Sequence, residues 1–153
     1  MVEASVYQAG SVIAFVPHGR APSGWVLGRV DIVTEDGGSK IEVLNDHLRY
    51  VIDEYDSPGD ESRFDTKNFN KIIAKKTMGS SYAMFLKHAA SVSVVVRGNE
   101  IVLEPMMRSR KFKGFEGYKG ISDVLPLSSL SDGSAMQRIK DFLNEIIDSY
   151  NAC

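Results

Sequence analysis

Residues 91–105, SVSVVVRGNEIVLEP, contain two β-branched runs that meet at Gly98-Asn99. Glycine permits the positive φ that a two-residue hairpin turn of type II′ or I′ requires. This turn sets Arg97 opposite Glu100 and fixes the pairing along both strands. Strand alternation then places one apolar set on a single face: Val92, Val94, Val96, Ile101 and Leu103. The stretch therefore predicts an antiparallel hairpin.

Further strands are predicted on both sides of this hairpin. Runs of β-branched and aromatic residues favour strands, and Gly and Pro mark their ends. Pro17 is expected to stop the first strand. Pro105 is expected to end the hairpin, because it has no N–H to donate to the ladder. The other predicted strands are residues 12–16, 25–33, 40–44 and 121–127, with a basic loop over residues 106–120. Residues 69–74 fit a strand or a helix, and we favour a strand.

Three helices are predicted from apolar residues that recur at 3.6-residue spacing. Each has residues suited to its N-cap: Asn45 or Asp46, Ser80 or Ser81, and Asp132 or Ser134. The C-terminal helix is the clearest, with an apolar face made by Ile139, Phe142, Leu143, Ile146, Ile147 and Tyr150. The pattern indicates an α+β fold, with a central, mainly antiparallel twisted sheet decorated with helices and an amphipathic C-terminal helix.

Length and composition favour one globular domain, residues 1–153, with ordinary apolar content. No apolar run approaches the roughly 18 residues that a membrane helix needs. The N-terminus has no basic region followed by an apolar stretch, so we expect no signal peptide. Cys153, the single cysteine, is compatible with a reducing compartment. We expect a cytoplasmic protein.

Charge is divided sharply along the chain. Residues 31–65 hold 11 acidic and 3 basic residues, whereas residues 67–119 hold 11 basic and 3 acidic residues. Such asymmetry is typical of a partner-binding surface of either sign. Two solvated faces of one fold would give the same pattern.

The sequence carries no recognisable catalytic motif. His18, His47 and His88 lack the close spacing of a metal site, and no cysteine cluster accompanies them. There is no Gly-x-Ser-x-Gly nucleophile elbow. Adjacent acids such as Asp53 and Glu54 are typical of solvated surface. We therefore predict no enzyme activity, no cofactor and no metal.

The basic and aromatic residues of segment 108–119 favour nucleic-acid binding as the alternative function. Single-strand binders combine rings on which bases stack with cations that follow the phosphates. The chain is not strongly basic, with a pI of about 5.9, which argues against a dedicated nucleic-acid protein. The same rings would otherwise pin the loop to the core. This basic–aromatic set is Arg108, Arg110, Lys111, Phe112, Phe115 and Tyr118.

Residues 76–147 contain a series of segments in a particular order and spacing. An amphipathic helix, YAMFLK from Tyr82, precedes the valine strand and the strand IVLEP from Ile101. A polar loop with Arg108 and FEG, the segment VLPLSS from Val124, and a final helix from near Gly133 follow. This order and spacing resemble the immunity proteins of bacterial contact-dependent growth inhibition systems, in the branch that neutralises nuclease toxins.

That resemblance implies a partner and a mode of binding. The partner would be the C-terminal nuclease domain of a cognate toxin, whose β-hairpin would extend the immunity protein's sheet. It implies no catalytic activity. We also expect no membrane contact and no direct contact with nucleic acid. Acidic side chains would add electrostatic attraction to a basic toxin. The predicted contact residues, called the acidic set, are Asp53, Glu54, Asp56, Asp60, Glu61 and Asp65.

Overall fold

The computed structural model describes residues 1–21, 24–55 and 63–151. The eight strands of this part of the chain are β1 Val2–Ala9, β2 Val12–Arg20, β3 Val26–Gly28, β4 Val33–Asp36, β5 Ala90–Arg97, β6 Glu100–Arg108, β7 Phe115–Gly117 and β8 Asp123–Pro126. The five helices are α1 Ile41–Asp53, α2 Phe69–Met78, α3 Tyr82–His88, α4 Ser129–Asp132 and α5 Ser134–Asn151. The predicted α+β class and the amphipathic C-terminal helix are confirmed.

The strands form one antiparallel sheet whose order is β3-β2-β1-β5-β6-β7. Each outer edge is shared by two short strands. β3 and β4 pair with opposite ends of β2, and β7 and β8 pair with opposite ends of β6. The long strands therefore pair with neighbouring strands along both of their edges. The sheet ends in strands of three or four residues.

The hairpin forms with the predicted register. Arg97 pairs with Glu100 and Val94 pairs with Leu103, and Gly98 has a φ of 55°. The predicted apolar face packs in the main core: Val92, Val94, Ile101 and Leu103 are fully buried, and Val96 packs against them. Local turn chemistry and side-chain alternation were sufficient to set this part of the fold.

Both predictions that a proline ends its strand are wrong. β2 continues through Pro17 to Arg20, and β6 continues through Pro105 to Arg108. The Pro17 carbonyl accepts from the Arg29 N–H and the Pro105 carbonyl accepts from the Tyr118 N–H. Because the N and C=O of one strand residue point to the same side, each proline nitrogen faces the outer edge. Each lies where one short edge strand ends and the next begins, so no central ladder bond is lost.

Two predicted strands are helices instead. Residues 40–44 enter α1, which begins at Ile41, so the predicted cap at Asn45 or Asp46 is wrong. Asn45 is buried within the helix and its Nδ2 donates to the Leu130 carbonyl. Residues 69–74 lie in α2, where Ile73 and Ala74 face the sheet. Short apolar runs fit either period, and packing against the sheet decides between them.

Three further boundaries differ from the prediction. Of the strand predicted over residues 25–33, β3 covers residues 26–28, and β4 begins at residue 33 and continues to Asp36. β1 was not predicted, because its sequence VEASVYQA has few large apolar residues. The predicted basic loop, residues 106–120, contains the end of β6 and all of β7. The strand predicted over residues 121–127 is confirmed as β8.

Helices cover the two faces of the sheet unequally. α1 and α5 pack on the face that carries Phe15 and Leu103, and this side holds the larger core. α2 and α3 cover part of the other face, where Ile73 and Phe85 pack against Ala14. Of the predicted apolar face of α5, Ile139, Phe142, Leu143 and Ile146 are buried. The larger core therefore holds the hairpin and the C-terminal helix together.

Of the two predicted caps for α3, Ser81 makes the capping bond, since its Oγ accepts from the Met84 N–H at 3.2 Å. We expect Ser81→Ala to lower the free energy of unfolding by about 1 kcal/mol in urea titrations. Ser80→Ala, one residue earlier and also exposed, is the matched control and should change it by less than about 0.5 kcal/mol. Equal losses in both variants would contradict this assignment.

Candidate partner-binding site

The acidic set lies at the end of α1 and before α2. Asp53 is the last residue of α1 and is exposed, and Glu54 follows it. Asp65 is half-buried and accepts from the Asn68 side chain at 3.0 Å, just before α2. The other three members, Asp56, Asp60 and Glu61, lie outside the described residues. Within the described part, Asp53 is the member most open to a partner.

Arg29 connects this acidic region to the sheet edge. Its side chain is 1% exposed, its Nη1 donates to the Glu54 carbonyl at 2.7 Å, and its Nε donates to Asp31 Oδ1 at 3.0 Å. Burial would raise the pKa of Asp31, but the Arg29 guanidinium holds that pKa below its ordinary value. Arg29 directly follows β3, so this buried cation fixes the end of α1 beside the edge strand.

Two main-chain N–H groups of β3 point away from its partner strand β2. Arg29 N–H bonds to the Pro17 carbonyl, and Gly19 pairs with Leu27, so antiparallel alternation points the N–H groups of Val26 and Gly28 outward. Two residues further, the Val30 N–H donates to the Arg63 carbonyl at 2.8 Å. The chain just after the acidic residues therefore already bonds at this edge.

Trp25, directly before β3, is 73% exposed. Exposed tryptophan is enriched at the centres of protein interfaces, where its ring buries a large area on binding. It is the single tryptophan of the chain, which is the signal that sequence reasoning missed. Trp25, the outward donors of β3 and Asp53 define a surface that we call the β3 edge.

At the opposite edge of the sheet, β8 is less suited to strand addition than β3. Leu127 N–H bonds to the Asn99 carbonyl and Val102 pairs with Val124, so alternation points residues 124 and 126 outward. The residue at 126 is Pro126, which has no N–H to offer. Proline on an edge strand is a common protection against strand pairing. β8 therefore has one outward donor where β3 has two.

The basic–aromatic set is brought together only in part. Tyr118 is 3% exposed and belongs to the larger core, and Phe115 packs against Tyr7 with ring centroids 5.6 Å apart. Phe112 is 57% exposed. The Arg108 guanidinium lies 4.2 Å from the centre of the Tyr150 ring. Of the three rings in the set, Phe112 alone is open to stacking with a base.

Ser5, His18 and Glu3 approach one another on the face that α2 and α3 partly cover. Ser5 Oγ lies 2.8 Å from His18 Nε2, and His18 Nδ1 lies 3.6 Å from Glu3 Oε2. The order resembles a nucleophile, base and acid, but the Nδ1 contact is too long for a hydrogen bond. Ser5 lies in the middle of β1, whose backbone pairs with strands on both sides. Amides used in those ladders are not free to form an oxyanion hole.

This arrangement predicts a pH effect on stability. Burial lowers the pKa of His18, and the nearby Glu3 opposes that shift only in part. An unfolded-chain histidine titrates near pH 6.5, so the unfolded state binds the proton first as the pH falls. The free energy of unfolding is expected to decrease below about pH 6.5.

His18→Asn should remove part of that decrease, measured by urea unfolding at about pH 7.5 and pH 5.5. His47→Asn is the control, because His47 lies elsewhere, 3.0 Å from Glu35, and its loss leaves His18 in place. A decrease in His18→Asn as large as that of the unmodified protein would show that another group is responsible.

Among the described residues, no group of three or more His, Cys, Asp or Glu side chains is placed to hold a metal ion. In the same part of the chain, no helix has both the length and the apolar character to cross a bilayer.

Comparison with known proteins gives similarity of structure without similarity of sequence. No protein-family model matches the chain, and no curated protein matches it by sequence. Its fold is similar to a protein of unknown function from Neisseria meningitidis, with a TM-score of 0.68, 14% identity, and 91% and 92% of the two chains covered.

The fold is also similar to a chain of the CdiA-CT/CdiI toxin and immunity complex from Yersinia pseudotuberculosis. This match has a TM-score of 0.65 and 13% identity, and it covers 92% of this chain and 96% of the other. Both matches extend over nearly the whole of each chain, and at these identities they establish a shared fold.

Proposed function

We propose that this protein is an immunity protein that binds and neutralises the C-terminal domain of a cognate contact-dependent growth inhibition toxin. The observation that carries the proposal is the fold that the chain shares, over 92% of its length, with a chain of a toxin and immunity complex. The segment order of residues 76–147 supports the same assignment independently. The protein would act in the bacterial cytoplasm, by occupying the toxin rather than by catalysis.

We infer further that the toxin is a nuclease and that one of its β-strands is added to the sheet at the β3 edge. Two outward N–H groups, of Val26 and Gly28, would bond to the added strand. Trp25 would cover its apolar side chains. Strand addition gives affinity through main-chain bonds, whereas the side chains beside the strand select the partner.

The acidic set supplies the electrostatic part of this proposal. A nuclease that binds phosphates needs basic side chains, and carboxylates beside the β3 edge would attract them. Charges at the rim of an interface mainly speed association, whereas buried contacts set the lifetime of the complex. The acidic set should therefore control the association rate.

Charge reversal tests the electrostatic part. Changing Asp53, Asp56, Asp60 and Glu61 to lysine should slow association with the toxin domain by about tenfold at low salt, and by less at high salt. Stopped-flow fluorescence of Trp25 at several salt concentrations would measure the rate. Glu54 and Asp65 are left unchanged, because Glu54 accepts from the Tyr50 hydroxyl and Asp65 bonds to Asn68.

The matched control reverses four exposed carboxylates outside the acidic set, Glu42, Asp46, Glu145 and Asp148, with the same change in net charge. If both variants slow association equally, net charge alone acts and the acidic set has no special part. An unchanged rate in the first variant would remove the electrostatic contribution from the proposal.

A further inference from the structure

We propose that a second site, a cationic pocket between the β6–β7 hairpin and the end of α5, binds the phosphate group of a small anionic ligand. The pocket has a volume of about 210 Å³. Its lining residues are Met107, Arg108, Arg110, Tyr118, Lys119, Ser149 and Tyr150. The site is separate from the β3 edge, and the proposal does not depend on an immunity function.

The charge of the lining indicates the class of ligand. Arg108, Arg110 and Lys119 are cations, and no side-chain carboxylate is among the lining residues that the structure describes. Three cations around one cavity repel one another unless an anion lies between them. Guanidinium groups bind phosphate oxygens through paired N–H donors, and lysine adds a point charge.

Arg108 is held in place before any ligand arrives. Its Nη1 donates to the Lys87 carbonyl, and the guanidinium stacks on Tyr150. The Tyr150 hydroxyl is fixed in turn, accepting from the Arg108 N–H at 2.8 Å and donating to the Ala89 carbonyl at 2.9 Å. A guanidinium has five N–H donors, so donors beyond Nη1 remain for a ligand. Preorganised donors reduce the ordering cost of binding.

Lys119 adds an unusual backbone conformation at the pocket. Its φ is 54°, and among the described residues it is the one non-glycine residue with positive φ. Its Nζ lies 5.1 Å from the centre of the Tyr118 ring. The left-handed region is unfavourable for a residue with a Cβ. Strained residues concentrate at binding sites, and this one places a cation beside the cavity.

A purely structural role for the cations has a different consequence. α5 has no basic residue in its last turn, and cations near a helix C-terminus stabilise it through the helix dipole. If that were their whole role, added phosphate would bind no better here than elsewhere on the surface. Measurement of binding separates the two roles.

The test is a titration of the full chain, followed by the amide signals of residues 107–119 in two-dimensional NMR. The probes are inorganic phosphate and adenosine monophosphate, against sodium chloride at equal ionic strength. Inorganic phosphate should give saturable shifts with a Kd of about 1 mM. Tighter binding of the nucleotide would identify a phosphate ester as the ligand, and equal binding would identify free phosphate.

Two variants locate the binding. Arg110→Gln with Lys119→Gly should weaken phosphate binding at least about tenfold, while the thermal midpoint does not fall, because glycine accepts the positive φ of residue 119. Lys113→Gln is the control, since Lys113 is exposed on the same hairpin and does not line the pocket. Non-saturable shifts, equal binding by all variants, or binding only to a single-stranded oligonucleotide would each overturn the proposal.

Discussion

Replacing Arg29 with methionine is expected to lower the free energy of unfolding by about 1–3 kcal/mol, measured by urea titration. Methionine keeps much of the volume of the side chain but removes the donors to the Glu54 carbonyl and Asp31. The Glu54 carbonyl loses the Arg29 donor and the cost of its desolvation is no longer offset. Asp31 is 39% exposed, so water can replace the bonds that it loses. Because Arg29 joins β3 to the end of α1, the substitution should also loosen the β3 edge.

The matched control is Arg20→Met. Arg20 lies at the end of β2, where it is exposed, and its Nη1 donates to the Gly24 carbonyl at 2.8 Å. Exposed bonds of this kind contribute little, so we expect a change below about 1 kcal/mol. If Arg29→Met cost no more than Arg20→Met, the buried cation would not be what holds the acidic region against the sheet.

Replacing Val26 with proline is expected to weaken binding of the toxin domain about 100-fold. Proline removes an outward N–H, and the carbonyl that it would have bonded in the added strand is left unpaired. A lost bond and an unpaired group together cost about 3 kcal/mol, which is about a factor of 100 in Kd. The β2–β3 ladder does not use the Val26 N–H, so the fold should survive. Isothermal titration calorimetry measures the affinity.

Val124→Pro is the matched control on the opposite edge. It removes an outward N–H from β8 in the same way, beside the existing Pro126. We expect its affinity for the toxin domain to stay within about threefold of the unmodified protein. The reverse result, with Val124→Pro weak and Val26→Pro unaffected, would move the contact to the β8 edge.

Local sequence signals predicted the structure correctly where all the residues that determine an element lie within one segment. The Gly98-Asn99 turn and the alternation around it set the register of β5 and β6 without help from the rest of the chain. The C-terminal helix was equally clear, because its apolar face extends through several turns. In each element, the regular spacing of the apolar residues continues long enough to distinguish a strand from a helix.

The errors in the predicted fold occur where contacts between distant segments determine the secondary structure. Pro17 and Pro105 are acceptable inside long strands only because two short strands meet beside each of them. The residues around each proline do not indicate where those short strands lie. Residues 40–44 and 69–74 are short apolar runs that fit a strand as well as a helix. Their helical state depends on packing against a sheet built from residues far away in sequence.

The candidate site was partly predictable. The concentration of acid in residues 31–65 was visible from charge alone, and Asp53 is exposed as a partner-binding residue must be. Arg29 could not be identified, because nothing in its sequence context marks a buried cation. Trp25 was visible as the single tryptophan, but its exposure depends on how β3 ends the sheet.

The proposed function predicts that the neighbouring upstream reading frame encodes a large secreted protein. Its most direct test is calorimetric titration of this protein with the C-terminal domain of that product. We expect saturable one-to-one binding with nanomolar affinity, and loss of the toxin domain's nuclease activity at one equivalent. A toxin domain that remains fully active with this protein in excess, with no heat of binding, would contradict the proposed function.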